Sequence, residues 1–104
     1  MYKLVVFVPL THLAAVRRAV CKAGAGRIGN YDNCSFYSVG TGTFRPKASA
    51  KPFIGRSGKL AKVKEARMEI VVPKKSVKKV VAALKSAHPY EEPAFDLYPL
   101  KKIG

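Results

Sequence analysis

With 104 residues, 48% hydrophobic and 25% charged, the chain fits one globular domain able to bury a single two-layer core, and the composition excludes a disordered or collagen-like chain. No apolar run approaches the roughly 20 residues that cross a bilayer, and no cleavage pattern follows the opening apolar stretch, so a soluble cytoplasmic protein with no membrane partner is expected. Twenty Lys and Arg against six Asp and Glu give a net charge of +14; it attracts any polyanion at low salt, but the cations are spread along the whole chain, so nucleic acid is a partner through charge only.

In chain order, "KLVVFVPLTHLAAVRRAVCKAG" from Lys3 and "RMEIVVPKKSVKKVVAALKSAH" from Arg67 align without a gap at an offset of 64 residues. Val8 and Pro9 fall on Val72 and Pro73, while Leu13, Val16 and Val20 fall on Val77, Val80 and Leu84. Leu4 to Val8 and Met68 to Val72 are β-branched or apolar runs closed by a proline, which cannot donate to a ladder, and they read as strands. Thr11 or His12 and Ser76 stand where helices need N-terminal caps. Val77, Val80, Val81 and Leu84 then form an apolar stripe, with Lys75, Lys78, Lys79 and Lys85 facing away.

The first helix ends in the glycines of "AGAGRIGNY" and the second at "AHP". A strand follows each helix, Cys34 to Val39 and Phe95 to Tyr98. Gly40 to Gly58 holds four glycines and two prolines, too many for a regular element, and leads to a long strand from about Lys59. The expectation is an α+β, ferredoxin-like fold: βαβ repeated twice, a four-stranded antiparallel sheet with two helices on one face, and a long hairpin insertion whose loop binds something or contacts a neighbouring subunit. Residues 1–104 form one domain.

The chemical motifs mostly fail on context. Gly24, Gly26 and Gly29 have the G-x-G-x-x-G spacing, but they follow a helix and lead into a strand, the reverse of a dinucleotide-binding turn. Glycines with Arg45, Lys51, Arg56 and Lys59 in the hairpin loop offer an anion nest without a P-loop. No RNA-recognition strand occurs, and Phe36, Tyr37 and Phe44 read as sheet-packing residues. Cys21 and Cys34 read as small hydrophobes, and two histidines, His12 and His88, are too few for a triad or a metal hydrolase. The chain is read as non-catalytic, with no cofactor or metal named.

"HPYEEPAFDLYPL" gathers three of the six acids with His88 and Tyr90. Its prolines fix an extended path, and Lys or Arg partners are expected for its carboxylates, on the same chain or a neighbouring one.

Together "GAGRIGNYDNCSF", "GTGTFRP", "KPFIGRSGKL" and "HPYEEPAFDLYPL" resemble the inserted domain of the NGG-one-interacting-factor-three-like (YqfO) proteins, which is similar to PII signalling proteins and to CutA. The resemblance runs from about Tyr2 to Leu100 and implies a PII/CutA-like homotrimer with a regulatory role, a small ligand (nucleotide, metabolite or divalent metal) or a protein partner, and no part of the larger proteins' metal-bearing core. The candidate ligand-binding residues are Gly26, Gly29, Asn30, Tyr31, Arg45, Arg56, His88, Tyr90, Glu91 and Glu92. A basic nucleic-acid-binding module is the alternative.

Overall fold

A computed structural model of the chain describes residues 1–101 and Ile103. Strand β1 (Tyr2–Pro9), helix α1 (Leu13–Lys22) and strand β2 (Phe36–Phe44) form the first half; strand β3 (Ala61–Val72), helix α2 (Val77–Ala87) and strand β4 (Phe95–Pro99) form the second. The sheet order is β2-β3-β1-β4 with every neighbouring pair antiparallel. The duplicated strands β1 and β3 thus lie side by side at its centre, as the repeat predicts.

Alternation along the central strands divides the sheet into two unlike faces. Leu4, Val6 and Val8 lie opposite Ile70, Met68 and Ala66 and pack under Val16, Val20, Val80 and Leu84 of the helices. All of these are 0–2% exposed, and burying each of the larger side chains stabilises the fold by about 1.5–3 kcal/mol. The other face carries Val5, Phe7, Glu65, Arg67 and Glu69, where the Arg67 guanidinium sits 5.7 Å from the Phe7 ring centroid and 3.6 Å from Glu69 Oε2.

Two expectations are corrected. Neither helix receives a side-chain cap from Thr11, His12 or Ser76. The chain instead leaves Pro9 and Pro73 through single 3-10 turns, Leu10–His12 and Lys74–Ser76, and these put His12 and Ser76 at ψ 3° and −1°, outside the extended conformation that lets a cap oxygen reach back. Thr11 Oγ1 pairs with His12 Nδ1 at 2.9 Å.

The strand expected to end at Val39 runs on to Phe44, so "GTGTF" is strand and not loop. Its ladder with β3 continues until Phe44 meets Ala61, and this pairing offsets the weak strand propensity of Gly40 and Gly42. The hairpin carries the molecule to 49 Å along one axis against 24 Å across the others. Because β2 is an edge strand lying beyond the helices, Phe36 and Tyr37 are 67% and 50% exposed and do not pack as expected.

Candidate functional site

The segment after α2 fastens the two halves of the molecule together. His88 is 6% exposed, with Nε2 2.7 Å from the Phe7 carbonyl and Nδ1 3.1 Å from the Tyr90 amide nitrogen. Only the neutral ring satisfies both, with Nε2–H donating to Phe7 and Nδ1 accepting from Tyr90. Burial pushes the imidazole below its ordinary pKa, against the opposing pull of the Phe7 carbonyl and Glu65.

Tyr90 Oη donates to Glu65 Oε2 at 2.8 Å. Burial first, then this bond and the Glu65 charge, push the phenol well above its ordinary pKa. Glu91 Oε1 accepts the Lys51 amide at 2.9 Å. In place of the expected Lys or Arg side chain, this carboxylate takes a main-chain N–H, a fixed donor that costs less side-chain ordering than a mobile ammonium. Inside the hairpin loop, Gly58 N–H donates to the Pro46 carbonyl at 2.7 Å and Ala50 N–H to that of Lys47 at 3.0 Å.

Between that loop and His88–Pro93 lies a cleft of about 630 Å³ on the face of the sheet away from the helices. Phe7, Phe44, Phe53 and Tyr90 supply aromatic walls, with Phe44 and Phe53 centroids 5.7 and 6.5 Å from that of Tyr90. Glu65, Glu91 and Glu92 contribute carboxylates, and the exposed Arg45 and Lys47 contribute cations.

Glu65 holds its place because residue 42 is glycine. A Cβ there would overlap the Glu65 carboxylate. Gly42→Ala is therefore expected to swing the flexible glutamate aside and break the Tyr90 bond, with a loss of about 1–3 kcal/mol of stability. Chemical denaturation measures that loss, and a Tyr90 absorbance titration shifting back toward an ordinary phenol reports the broken bond.

Of the ten predicted site residues, Arg45, Tyr90, Glu91 and Glu92 line the cleft. His88 lies beneath Tyr90, the two rings 4.9 Å apart, and acts as a support for the wall. Arg56 is exposed on the loop and is not among the lining residues. Gly26, Gly29, Asn30 and Tyr31 sit at the opposite end of the sheet. Gly26 N–H donates to the Val71 carbonyl at 2.8 Å, and Val71 pairs with Lys3 whereas Glu65 pairs with Pro9, about 20 Å away along β3. Sequence reasoning missed Phe7, Phe53 and Glu65. The signal available for Glu65 was an acid between the lysines and arginine of its strand, across from the two strand glycines Gly40 and Gly42.

No family model matches the chain. It is 56% identical over 104 residues to the GTP cyclohydrolase 1 type 2 homolog of Halalkalibacterium halodurans, covering 100% of this chain and 28% of that protein. It is 49% identical over 100 residues to the protein of that name from Bacillus subtilis, covering 96% and 27%. The chain thus spans little more than a quarter of the length of these relatives.

Among solved structures, the Bacillus cereus protein related to NIF3 superposes with a TM-score of 0.83 at 48% identity, covering 97% of this chain and 26% of that one. The PII-like protein CutA from Nostoc sp. PCC 7120 superposes at 0.68 with 15% identity, covering 96% and 81%, a likeness of fold alone. From end to end the chain is thus similar to one segment of the longer GTP cyclohydrolase 1 type 2 homologs and of the NIF3-related protein, and it shares its fold with CutA.

Proposed function

We propose that the chain is a non-catalytic ligand-binding domain with a regulatory role, working as a homotrimer in the cytoplasm, and that the cleft between the hairpin loop and His88–Pro93 is its ligand site. The observation that carries this reading is the cleft itself. A cleft of about 630 Å³ with a mostly apolar wall that includes four aromatic rings, held by loops that are each hydrogen-bonded in place, matches the size and lining of small-molecule sites. A binding role suits His88, whose two ring nitrogens are both engaged and so are not available as a general base.

The trimer is supported by β2, a free edge strand showing Phe36, Tyr37 and Val39 at 50–67% exposure, which invites pairing with a second copy. Gly26, Gly29, Asn30 and Tyr31, remote from the cleft within one chain, would meet a cleft only from a neighbouring copy. Sedimentation equilibrium is expected to give the mass of three chains; the mass of one would remove the trimer and leave the cleft.

The test of the ligand site is a thermal-shift panel of nucleotides, phosphorylated metabolites, organic amines, carboxylates and divalent ions. A ligand at a hundred times its Kd stabilises the native form by about 2.7 kcal/mol, and Phe44→Ala is expected to abolish the response. Silence from every class sinks the ligand-site reading and points to a protein partner.

A second reading rests on a different surface. Arg17, Arg18 and Lys22 on α1 and Lys78, Lys79 and Lys85 on α2 are joined by no acid on either helix, so the helix layer is a one-sign surface suited to phosphodiester chains. Saturable binding of nucleic acid that persists at physiological salt would establish this role, and its disappearance there would reduce it to charge alone.

A further inference from the structure

Resting on the ligand-site reading, we propose that the occupant of the cleft is a small organic cation, its ammonium or guanidinium head set against Glu65 and its apolar or planar body between Phe44, Phe53 and Tyr90. Glu65 is 9% exposed and lines the cleft. One oxygen accepts a hydrogen bond from the Tyr90 hydroxyl, yet among the described residues the Lys or Arg pair within 4.0 Å of a carboxylate is Arg67 with Glu69, and Glu65 has none. In a chain with 20 cationic and six acidic side chains, a buried carboxylate without a cation is the least expected arrangement, because a desolvated charge is unfavourable until an opposite charge meets it.

Two further observations point the same way. Glycine at position 42 weakens the strand that holds it, and its missing Cβ is the space in which the Glu65 carboxylate lies. Glu91 and Glu92 line the same cleft, so it collects three of the chain's six acids. Glu91 commits one oxygen, Oε1, to the Lys51 amide. The aromatic faces add an attraction that is selective for cations over anions and neutral groups.

Arg45 and Lys47 also line the cleft and oppose a cation. Both are exposed, where water and salt screen them, whereas the buried Glu65 acts at close range in a poorly screened setting. An anionic ligand would face the reverse balance, drawn by the screened charges and repelled by the unscreened one.

Isothermal calorimetry on the full chain with three probes of matched shape decides the matter: phenethylammonium, 2-phenylethanol and 3-phenylpropionate. The amine is expected to bind about tenfold or more tightly than the alcohol, with no detectable binding of the carboxylate. Glu65→Gln keeps an acceptor for Tyr90 and is expected to bring the amine down to the level of the alcohol with the melting temperature little changed. Asp96→Asn removes the same charge at an exposed position outside the cleft lining and is expected to weaken the amine by no more than about twofold.

Equal binding of amine and alcohol, tighter binding of the carboxylate, or an Asp96→Asn effect as large as that of Glu65→Gln would overturn the proposal. If Glu65→Gln does not fold, the ranking of the three probes on the unaltered chain decides alone. An anionic binder lost in Phe44→Ala would end the cation while leaving the ligand site standing; silence from every class ends both. Amine binding that dissociates an assembly would give the seat to a Lys or Arg of a neighbouring copy and overturn the small-molecule occupant.

Discussion

Gly26→Ala is expected to destabilise the fold by about 2–5 kcal/mol, of which the left-handed backbone conformation accounts for about 1–2 kcal/mol and the forced contacts for the rest. Gly26 has φ +79°, and a Cβ there would stand 2.9 Å from both the Cys34 carbonyl oxygen and Ile70 Cδ1, and 3.1 Å from the Cys34 nitrogen. Two of those atoms are backbone and cannot step aside, because the Gly26 amide is bonded to the Val71 carbonyl at 2.8 Å and the Gly26 carbonyl accepts from the Cys34 amide at 2.8 Å. Those bonds seat the turn after α1 against the end of β3 before the chain enters β2.

Gly29 provides the control. It also has a positive φ, +55°, but nothing lies within 4 Å of where its Cβ would be. Gly29→Ala should cost only the backbone term, about 1–2 kcal/mol. At roughly 4–8 °C per kcal/mol for a domain near this size, thermal melts followed by circular dichroism resolve the two variants clearly. Melting temperatures within about 2 °C of one another would show that the clash at Gly26 is relieved by movement and that the turn is not fixed by it.

Gly26 and Gly42 show why the fold was legible in the sequence and the site was only partly so. The 64-residue repeat, its two closing prolines and the apolar spacing of Val16, Val20, Val80 and Leu84 express burial, and burial follows periodicity whatever else the chain does. Strand order and helix placement come from that signal. A glycine carries no such signature. Gly26 is needed for a positive φ, Gly42 for the room it leaves to Glu65, and the sequence marks both identically. Grouping Gly26 with Arg45, Tyr90 and Glu91 as candidate ligand-binding residues joined two ends of the sheet that the register holds apart within one chain.

The helix starts were misread for a related reason, since proline followed by a 3-10 turn makes the entry without the side-chain oxygen that Thr11 and Ser76 offered. Glu65, Phe7 and Phe53 were invisible as a group because 58 residues of chain separate Phe7 from Glu65, and only the pairing of β1 with β3, placing Glu65 opposite Pro9, brings them together.

His88 makes the other large prediction, on stability against pH. The folded chain holds the ring neutral and buried, and its pKa lies below the ordinary 6.5 mainly because burial disfavours the charged form. In the unfolded chain the same ring binds a proton at about pH 6.5. Below that pH the unfolded state therefore carries more protons than the native one, and stability rises with pH through this window. The contribution of His88 is present in full above about pH 6.5 and is lost progressively as the pH falls beneath it, at no more than about 1.4 kcal/mol per pH unit.

The loss reaches the cleft as well. A proton on Nδ1 replaces the acceptor of the Tyr90 amide with a second donor, so the Tyr90 wall and its bond to Glu65 loosen together. Denaturant unfolding between pH 5 and 7.5 should show this slope in the unaltered chain and a flatter one in His88→Gln, whose absolute stability at pH 7.5 should be lower by about 1–3 kcal/mol because a shorter, non-aromatic amide cannot meet both the Phe7 carbonyl and the Tyr90 amide in the same geometry. His12 and the carboxylates are common to both proteins and cancel in the difference. Parallel slopes would mean that the His88 ring gains its proton without leaving its seat, and the neutral ring bridging the Phe7 carbonyl and the Tyr90 amide would no longer be what holds the loop against the sheet.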